Sequence, residues 1–314
     1  MKALVTGCAG FIGSNLVDAL LEEGYHVTGI ECFTDYYPRK IKESNLVKAK
    51  EHSKFRLIEN NLLSMEKFPD VDYIFHLAAQ AGVRASWGNN FEIYTKNNVE
   101  ATQKLLEYYK DRKIKKLIYS SSSSVYGDVT LPMNENNLLR PISPYGVTKL
   151  AAEHLCYLYY KFFDIPTISL RYFTVYGPRQ RPDMGIYKFV KAIQSGEKIT
   201  VYGDGSQTRD FTYISDIVNA NILSAENDSI GKVFNIGGGN RINVKELINL
   251  IENILGEKAK IDFIEKQKGD VKDTLANIDK AKDVLKWGPE VGIEEGLNHF
   301  TDWFNDSKKI LLKV

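Results

Sequence analysis

Tyr145 and Lys149 stand four residues apart in Tyr145-Gly146-Val147-Thr148-Lys149, a spacing that puts phenol and ammonium on one face of a helix. A free tyrosine has a pKa of about 10, too high for an efficient base near neutrality, and a neighbouring lysine favours the phenolate. The pair is therefore a candidate for taking a proton from a hydroxyl group. The same pattern also recurs by chance on amphipathic helices, so it carries weight only in company. Upstream, Ser120-Ser121-Ser122-Ser123-Ser124-Val125-Tyr126-Gly127 ends an apolar run and offers a row of hydroxyls.

A second constellation lies at the start of the chain. Thr6-Gly7-Cys8-Ala9-Gly10-Phe11-Ile12-Gly13 follows an apolar run and opens a helical pattern. Glycines there let the backbone turn tightly and bring N–H groups and a helix N-terminus against a pyrophosphate. Glu31 closes the next apolar run about 20 residues on, where a carboxylate can accept from a ribose 2′-hydroxyl and repels a 2′-phosphate. Together they favour NAD over NADP, and a positive nicotinamide ring would help Lys149 favour the Tyr145 phenolate. The plainer reading is a tight turn followed by a strand-end acid.

The elements that must position these groups alternate in the β-α-β manner of a parallel sheet. Strands are predicted at Lys2 to Thr6, His26 to Glu31, Phe55 to Ile58, Tyr73 to Leu77, Lys116 to Ser120 and Thr167 to Tyr172. Long helices are predicted from about Glu92 to Lys110 and from Pro144 to Phe163, the latter opened by Ser143-Pro144. After Arg171 the texture turns to loops suited to holding a ligand, Tyr176-Gly177-Pro178-Arg179-Gln180-Arg181-Pro182 and Tyr202-Gly203-Asp204-Gly205-Ser206, then Gly237-Gly238-Gly239 and a helix from about Val244 to Leu255. The expected fold is a Rossmann-type doubly wound α/β sheet over 1–170, with a segment crossing back at about 209–234. A smaller mixed α/β substrate domain would comprise 171–208 and 235–314.

Composition limits the partners. With 41 Lys and Arg against 40 Asp and Glu in 314 residues, no excess of basic charge exists to draw in a nucleic acid or an anionic membrane, though a few arginines can still face one phosphate. Cys8, Cys32 and Cys156 are too few and too scattered for a disulfide framework and read as small buried hydrophobes of a reducing compartment. The five histidines lack metal-ligand spacing, so no metal is expected, and His76 reads as structural. No signal peptide and no apolar stretch near the ~18 residues of a membrane span is found, which places the protein in the cytoplasm.

Taken together with His76-Leu77-Ala78-Ala79-Gln80 and Asn97-Asn98, these motifs resemble the extended short-chain dehydrogenase/reductase family, specifically its nucleotide-sugar epimerases and dehydratases. The likeness covers almost the whole chain and continues through Arg171-Tyr172-Phe173-Thr174-Val175-Tyr176-Gly177-Pro178, Gln207-Thr208-Arg209-Asp210-Phe211 and Lys268-Gly269-Asp270-Val271. It implies Tyr145 as general base, Lys149 as the ligand of the nicotinamide ribose and tuner of Tyr145, and Ser122 as partner of the reacting C4 oxygen. It implies NAD contacts from Gly7, Gly10, Phe11, Ile12, Gly13 and Glu31, from Asn61 and Leu62, and from Leu77, Ala78, Ala79 and Gln80. Asn98, Ser120 and Tyr172 complete that set. Arg209 and Asp270 would hold the UDP, with Arg84, Arg181 and Gln207 as further substrate contacts. The family's two-helix-per-subunit dimer makes the aromatic stretch from Tyr157 to Phe163 either packing or a homodimer face.

One stretch sorts the reactions. Dehydratases of this group carry an Asp-Glu pair just before the Val-Tyr-Gly, and UDP-glucuronate decarboxylases a Glu; here stand Ser123 and Ser124. The resemblance therefore implies a UDP-sugar 4-epimerase working through a transient 4-keto sugar. Thr34-Asp35-Tyr36-Tyr37, Arg181-Pro182-Asp183-Met184 and Thr174 are closer to UDP-glucuronate epimerases, with Ser122, Ser123, Ser124 and Thr174 as a hydroxyl cluster around a C6 carboxylate. The serines could equally just satisfy backbone groups. Thr274 replaces the bulky Tyr of hexose epimerases and leaves room near the sugar. UDP-glucose/UDP-galactose and UDP-N-acetylglucosamine remain alternatives, as does a non-catalytic NAD-binding relative, against which the presence of Tyr145, Lys149 and Ser122 argues. Glu31 and Asn61 both stand where the family usually has Asp.

Overall fold

The computed structural model describes residues 1–265 and 268–308. Seven strands form a single sheet, all parallel, in the order β10-β6-β5-β4-β1-β2-β3: β1 Lys2–Thr6, β2 His26–Glu31, β3 Phe55–Glu59, β4 Tyr73–His76, β5 Lys116–Ser122, β6 Thr167–Tyr172 and β10 Lys232–Ile236. Helices cover both faces, so the central strands are buried on both sides and read as nearly unbroken apolar runs. Strand order reverses between β1 and β4, which opens a crevice at the carboxyl ends of the strands, where sheets of this type bind ligands.

All six predicted strands form, with small shifts at their ends: β3 runs on to Glu59, β4 stops at His76 and β5 runs on to Ser122. The helix Pro144–Phe163 has the predicted limits. Its N-cap Ser143 accepts the Gly146 N–H at 3.1 Å, and Asp164 ends it in the left-handed conformation. The stretch predicted as one helix from Glu92 to Lys110 is built differently. It is α-helical over Phe91–Tyr94, passes through a π-helical turn at Thr95–Glu100 and is α-helical again over Ala101–Tyr109. Such turns insert a residue and re-aim the side chains that follow.

Away from the large sheet, β7 (Thr174–Tyr176), β9 (Thr208–Tyr213) and β11 (Arg241–Asn243) form a three-stranded sheet, and β8 (Lys198–Tyr202) pairs with β12 (Lys260–Ile264). The chain rejoins the large sheet's layers at the helix Ile214–Glu226, which packs on the helix Phe11–Glu22, and at β10. Residues 209–213, predicted to start that return, instead pair with β7 and β11. The helix Val244–Leu255 carries the predicted limits and a capping box between Asn243 and Glu246. Cys8 and Cys156 are buried as expected, whereas Cys32 is exposed, because it lies just past the end of β2 on the wall of the crevice. Among the described residues no helix is long and apolar enough to cross a membrane.

Candidate active site

A cavity runs along the crevice from the end of β2 to the start of the helix Pro144–Phe163. At one end its wall is the glycine turn. The helix Phe11–Glu22 has Gly10 as N-cap and no side chain caps it, so its first N–H groups face the cavity lined by Gly10, Phe11, Ile12 and Gly13. A Cβ on Gly13 would stand 2.2 Å from the Gly7 carbonyl oxygen, and Gly7 has φ +70°, so side chains are excluded from both positions. Glu31 Oε1 accepts the N–H groups of Cys32 (3.0 Å) and Phe33 (2.9 Å), which aims the carboxylate from the strand end and leaves Oε2 out of those bonds. Helix terminus, bare backbone and an oriented carboxylate fit the pyrophosphate and ribose of a dinucleotide. Lys42, which the sequence reading missed, also lines this end; its Nζ donates to the Thr34 carbonyl at 2.6 Å.

The other end holds the candidate acid–base group. Tyr145, Lys149 and Ser122 line one cavity together with Ser120, Ser123, Ser124, Tyr172 and Thr174. Burial pushes the Tyr145 phenol above its ordinary pKa, while a hydrogen bond from Ser122 works the other way. Burial also brings the Lys149 ammonium down to about 7, against the pull of Cys156 and Glu153, and its Nζ lies 4.6 Å from the Tyr119 ring centre. Ser122 serves two readings at once: its Oγ accepts the Ser124 N–H at 3.1 Å, and its proton remains for a neighbour in the cavity.

Behind the wall, a chain of polar groups joins the glycine turn to the tyrosine helix. The Ala78 N–H donates to Thr6 Oγ1 (3.2 Å), which lies 2.8 Å from His76 Nδ1, and His76 Nε2 lies 2.9 Å from Thr102 Oγ1. The Thr102 hydroxyl donates to the Asn98 carbonyl at 2.7 Å, so it accepts from Nε2–H and fixes the histidine tautomer. Burial holds the His76 pKa down to about 3, so the ring is neutral. Asn98 then accepts the Gln80 N–H (2.7 Å) and donates to Thr148 (2.9 Å), which donates to the Tyr145 carbonyl (2.8 Å). Asn98 is thus buried behind the wall, and its neighbour Asn97 lines the cavity instead. The π-helical turn decides which of the two faces inward, and that turn has no sequence signature.

Of the remaining expected NAD contacts, Asn61, Leu62, Leu77, Ala78, Ala79 and Gln80 all line the cavity. The expected UDP contacts form a separate cluster. Arg84 donates to Asp270 through Nε (3.0 Å) and Nη2 (2.6 Å) and lies over the Tyr202 ring at 3.9 Å. Arg209 Nη1 donates to the carbonyls of Thr208 (2.8 Å) and Lys272 (2.9 Å), close enough to Asp270 to feel its charge. Gln207 donates to the Tyr202 carbonyl at 2.8 Å. Thr274 is buried, and its hydroxyl accepts the Asp210 N–H at 3.1 Å. Arg181 does line the cavity, but both oxygens of Asp183 hold its guanidinium.

A parallel sheet with a glycine-lined helix N-terminus beside its order reversal, an oriented strand-end carboxylate and a Tyr–Lys pair across the crevice defines a dinucleotide-binding protein of the extended short-chain dehydrogenase/reductase type. The chain belongs to the GDP-mannose 4,6 dehydratase family, whose model matches residues 4–300. It is 44% identical to an uncharacterized UDP-glucose epimerase of Bacillus subtilis (strain 168), over 95% of this chain and 96% of that one. It is 39% identical to the UDP-glucuronate 4-epimerase of Thermodesulfobacterium geofontis (strain OPF15), over 99% and 98%. Among solved structures, the UDP-glucuronic acid 4-epimerase of Bacillus cereus, in complex with UDP-glucuronic acid and NAD, matches with a TM-score of 0.95 and 44% identity, covering 98% of this chain and 99% of that one.

Proposed function

We propose that the protein is an NAD-dependent UDP-sugar 4-epimerase that acts on UDP-glucuronate. The observation that carries this reading is the chemistry of the cavity wall: among the described residues that line it, Glu31 is the single carboxylate, and it sits at the dinucleotide end. Elimination of water needs an acid and a base beside the sugar, and Ser123 and Ser124 supply neither. The dehydratase chemistry in the family's name therefore does not follow from membership.

Tyr145 takes the proton of the C4 hydroxyl, Ser122 holds the C4 oxygen, and Lys149 favours the phenolate and orients the nicotinamide ribose. Bound NAD supplies the hydride acceptor and then the hydride donor at C4, so the reaction is redox-neutral overall. The remaining expected contacts keep the roles their positions allow: Glu31 at the ribose, the turn from Gly7 to Gly13 at the pyrophosphate, and Arg209, Asp270, Arg84 and Gln207 at the UDP. Residues 1–170, with the return through 214–236, serve the cofactor. The rest serves the nucleotide sugar.

Ser122, Ser123, Ser124 and Thr174 line the same cavity, and Arg181, which lines it too, is already paired with Asp183. A C6 carboxylate can thus be gripped by neutral donors without a charge beside the cationic ring. That grip matters because a 4-keto uronate is a β-keto acid, which loses CO₂ when the scissile bond aligns with the carbonyl. Incubation with UDP-glucuronate, UDP-glucose and UDP-N-acetylglucosamine in turn, followed by chromatographic separation, should yield UDP-galacturonate from the first with little UDP-pentose. Turnover of the neutral sugars alone would show the carboxylate assignment to be wrong. The Bacillus subtilis relative favours the hexose as second reading.

We further place the enzyme in the cytoplasm, where a thiol such as the exposed Cys32 stays reduced. A homodimer is supported by the helix Pro144–Phe163, which exposes Tyr157 (50%), Leu158 (45%), Phe162 (72%) and Phe163 (46%). A face of that kind is covered in a homodimer. Light scattering should give twice the 35.7 kDa of one chain, and Phe162→Glu should give a monomer. A parent protein that is monomeric at micromolar concentration rules the dimer out.

A further inference from the structure

The segment 178–183 is tied down at both ends to elements of the cavity wall: the helix whose N-terminus faces the pyrophosphate site, and the loop that follows Glu31. At its start, Arg179 Nη2 donates to Asp18 Oδ2 (2.7 Å), and Asn15 Nδ2 donates to the Pro178 carbonyl (3.2 Å). Asp18 and Asn15 belong to the helix Phe11–Glu22, whose N-terminus faces the pyrophosphate end of the cavity. Arg179 adopts φ +68°, a conformation that a non-glycine residue holds only when its surroundings impose it.

At its far end, Tyr36 Oη donates to Asp183 Oδ2 (3.1 Å), while Arg181 Nε and Nη2 donate to Asp183 Oδ1 (2.9 Å) and Oδ2 (3.0 Å). Tyr36 belongs to the loop that follows β2 and Glu31. The loop after β4 completes the junction: Gly82 has φ +103°, and a Cβ there would stand 2.4 Å from Tyr36 Oη. Tyr36, Gly82 and Arg181 all line the cavity, so the junction forms part of its wall from three loops.

We propose that Tyr36 and Asp183 form a clasp that retains NAD, with the segment 178–183 as the strap it fastens. The inference rests on the assignment of NAD made above and extends it to the cofactor's residence. An epimerase must return the hydride to the sugar that gave it, and a reduced cofactor that departs mid-turnover leaves a stranded keto sugar. Retention thus has a chemical purpose here that a dehydrogenase, which exchanges its cofactor every cycle, does not share. Opening the strap requires losing the Tyr36 hydrogen bond to an ionised carboxylate, a bond whose loss corresponds to about tenfold or more in a rate.

The test is release of radiolabelled NAD from the loaded protein into excess unlabelled NAD. Tyr36→Phe, which keeps the ring and removes the donor, and Asp183→Ala should each speed release about tenfold or more. Arg39→Ala, which breaks an exposed pair with Glu59 outside the clasp, should leave the rate within about twofold. Melting temperatures of the variants near that of the parent exclude general unfolding as the source of release. Parent-like release in both Tyr36→Phe and Asp183→Ala overturns the clasp, as does a rise in the KM of the sugar with no change in release. A parent protein that takes up no NAD overturns clasp and cofactor assignment together. Unchanged release with intact UDP-sugar epimerisation removes the clasp alone.

Discussion

Tyr145→Phe is expected to lower kcat for C4 epimerisation by about 10²–10⁴-fold, the range lost when a positioned general base is removed, while NAD stays bound. The change deletes the one oxygen that can accept the C4 proton and leaves the ring, which packs edge-on against Tyr94 at 6.2 Å, in place. Full activity in the variant would refute the assigned mechanism. Lys149→Met gives the complementary result. Burial raises the Tyr145 phenol, a hydrogen bond from Ser122 and the charge of Arg181 oppose it, and the role proposed for Lys149 adds a second positive charge. Without Lys149 the phenol's pKa rises further, and the acid limb of the kcat/KM profile moves to higher pH. A limb that stays in place would show that Lys149 does not tune Tyr145.

The second large effect is on stability. Arg171 on β6 and Glu153 on the tyrosine helix are 3% and 5% exposed and form a two-point ion pair, Nε to Oε2 at 3.0 Å and Nη2 to Oε1 at 2.6 Å. Ser121 donates to Glu153 Oε2 at 2.6 Å, and Arg171 Nη1 donates to Tyr126 Oη at 2.9 Å, whose hydroxyl donates to Asn235 on β10 at 2.6 Å. Glu153 lies one helical turn beyond Lys149, and Ser121 directly precedes Ser122. The cluster therefore sets how the Tyr145–Lys149 face sits against the end of β5.

Taking away one partner leaves an uncompensated charge in the interior. Arg171→Met is thus expected to lose about 3–5 kcal/mol of unfolding free energy, read from urea denaturation. The double variant Arg171→Met with Glu153→Leu should recover much of that loss, since apolar replacement of a whole buried pair is often close to neutral. A single variant that loses less than about 1 kcal/mol would show that the pair is not the anchor described.

The local chemistry of this chain was legible residue by residue. The glycine turn, the strand-end Glu31, the helix cap at Ser143 and the four-residue Tyr–Lys spacing are contiguous patterns whose geometry follows from backbone sterics and helical period alone. The apolar runs of the central strands β1, β4, β5 and β6 were visible because strands buried on both faces need apolar side chains throughout.

What the sequence could not determine are contacts between residues far apart in the chain. The π-helical turn that sends Asn98 to Thr148 and Asn97 to the cavity, the burial of Thr274 against Asp210, the exposure of Cys32 and the return to the sheet at Ile214 rather than Arg209 all depend on what packs against them. The same holds for the Arg181–Asp183 neighbours, which Tyr36 joins from the loop after β2. Tertiary structure decides these points because a side chain's partner and orientation are set by the sum of many weak packing and hydrogen-bond energies across the fold, whereas the spacing of a motif along one helix or turn is set by covalent geometry.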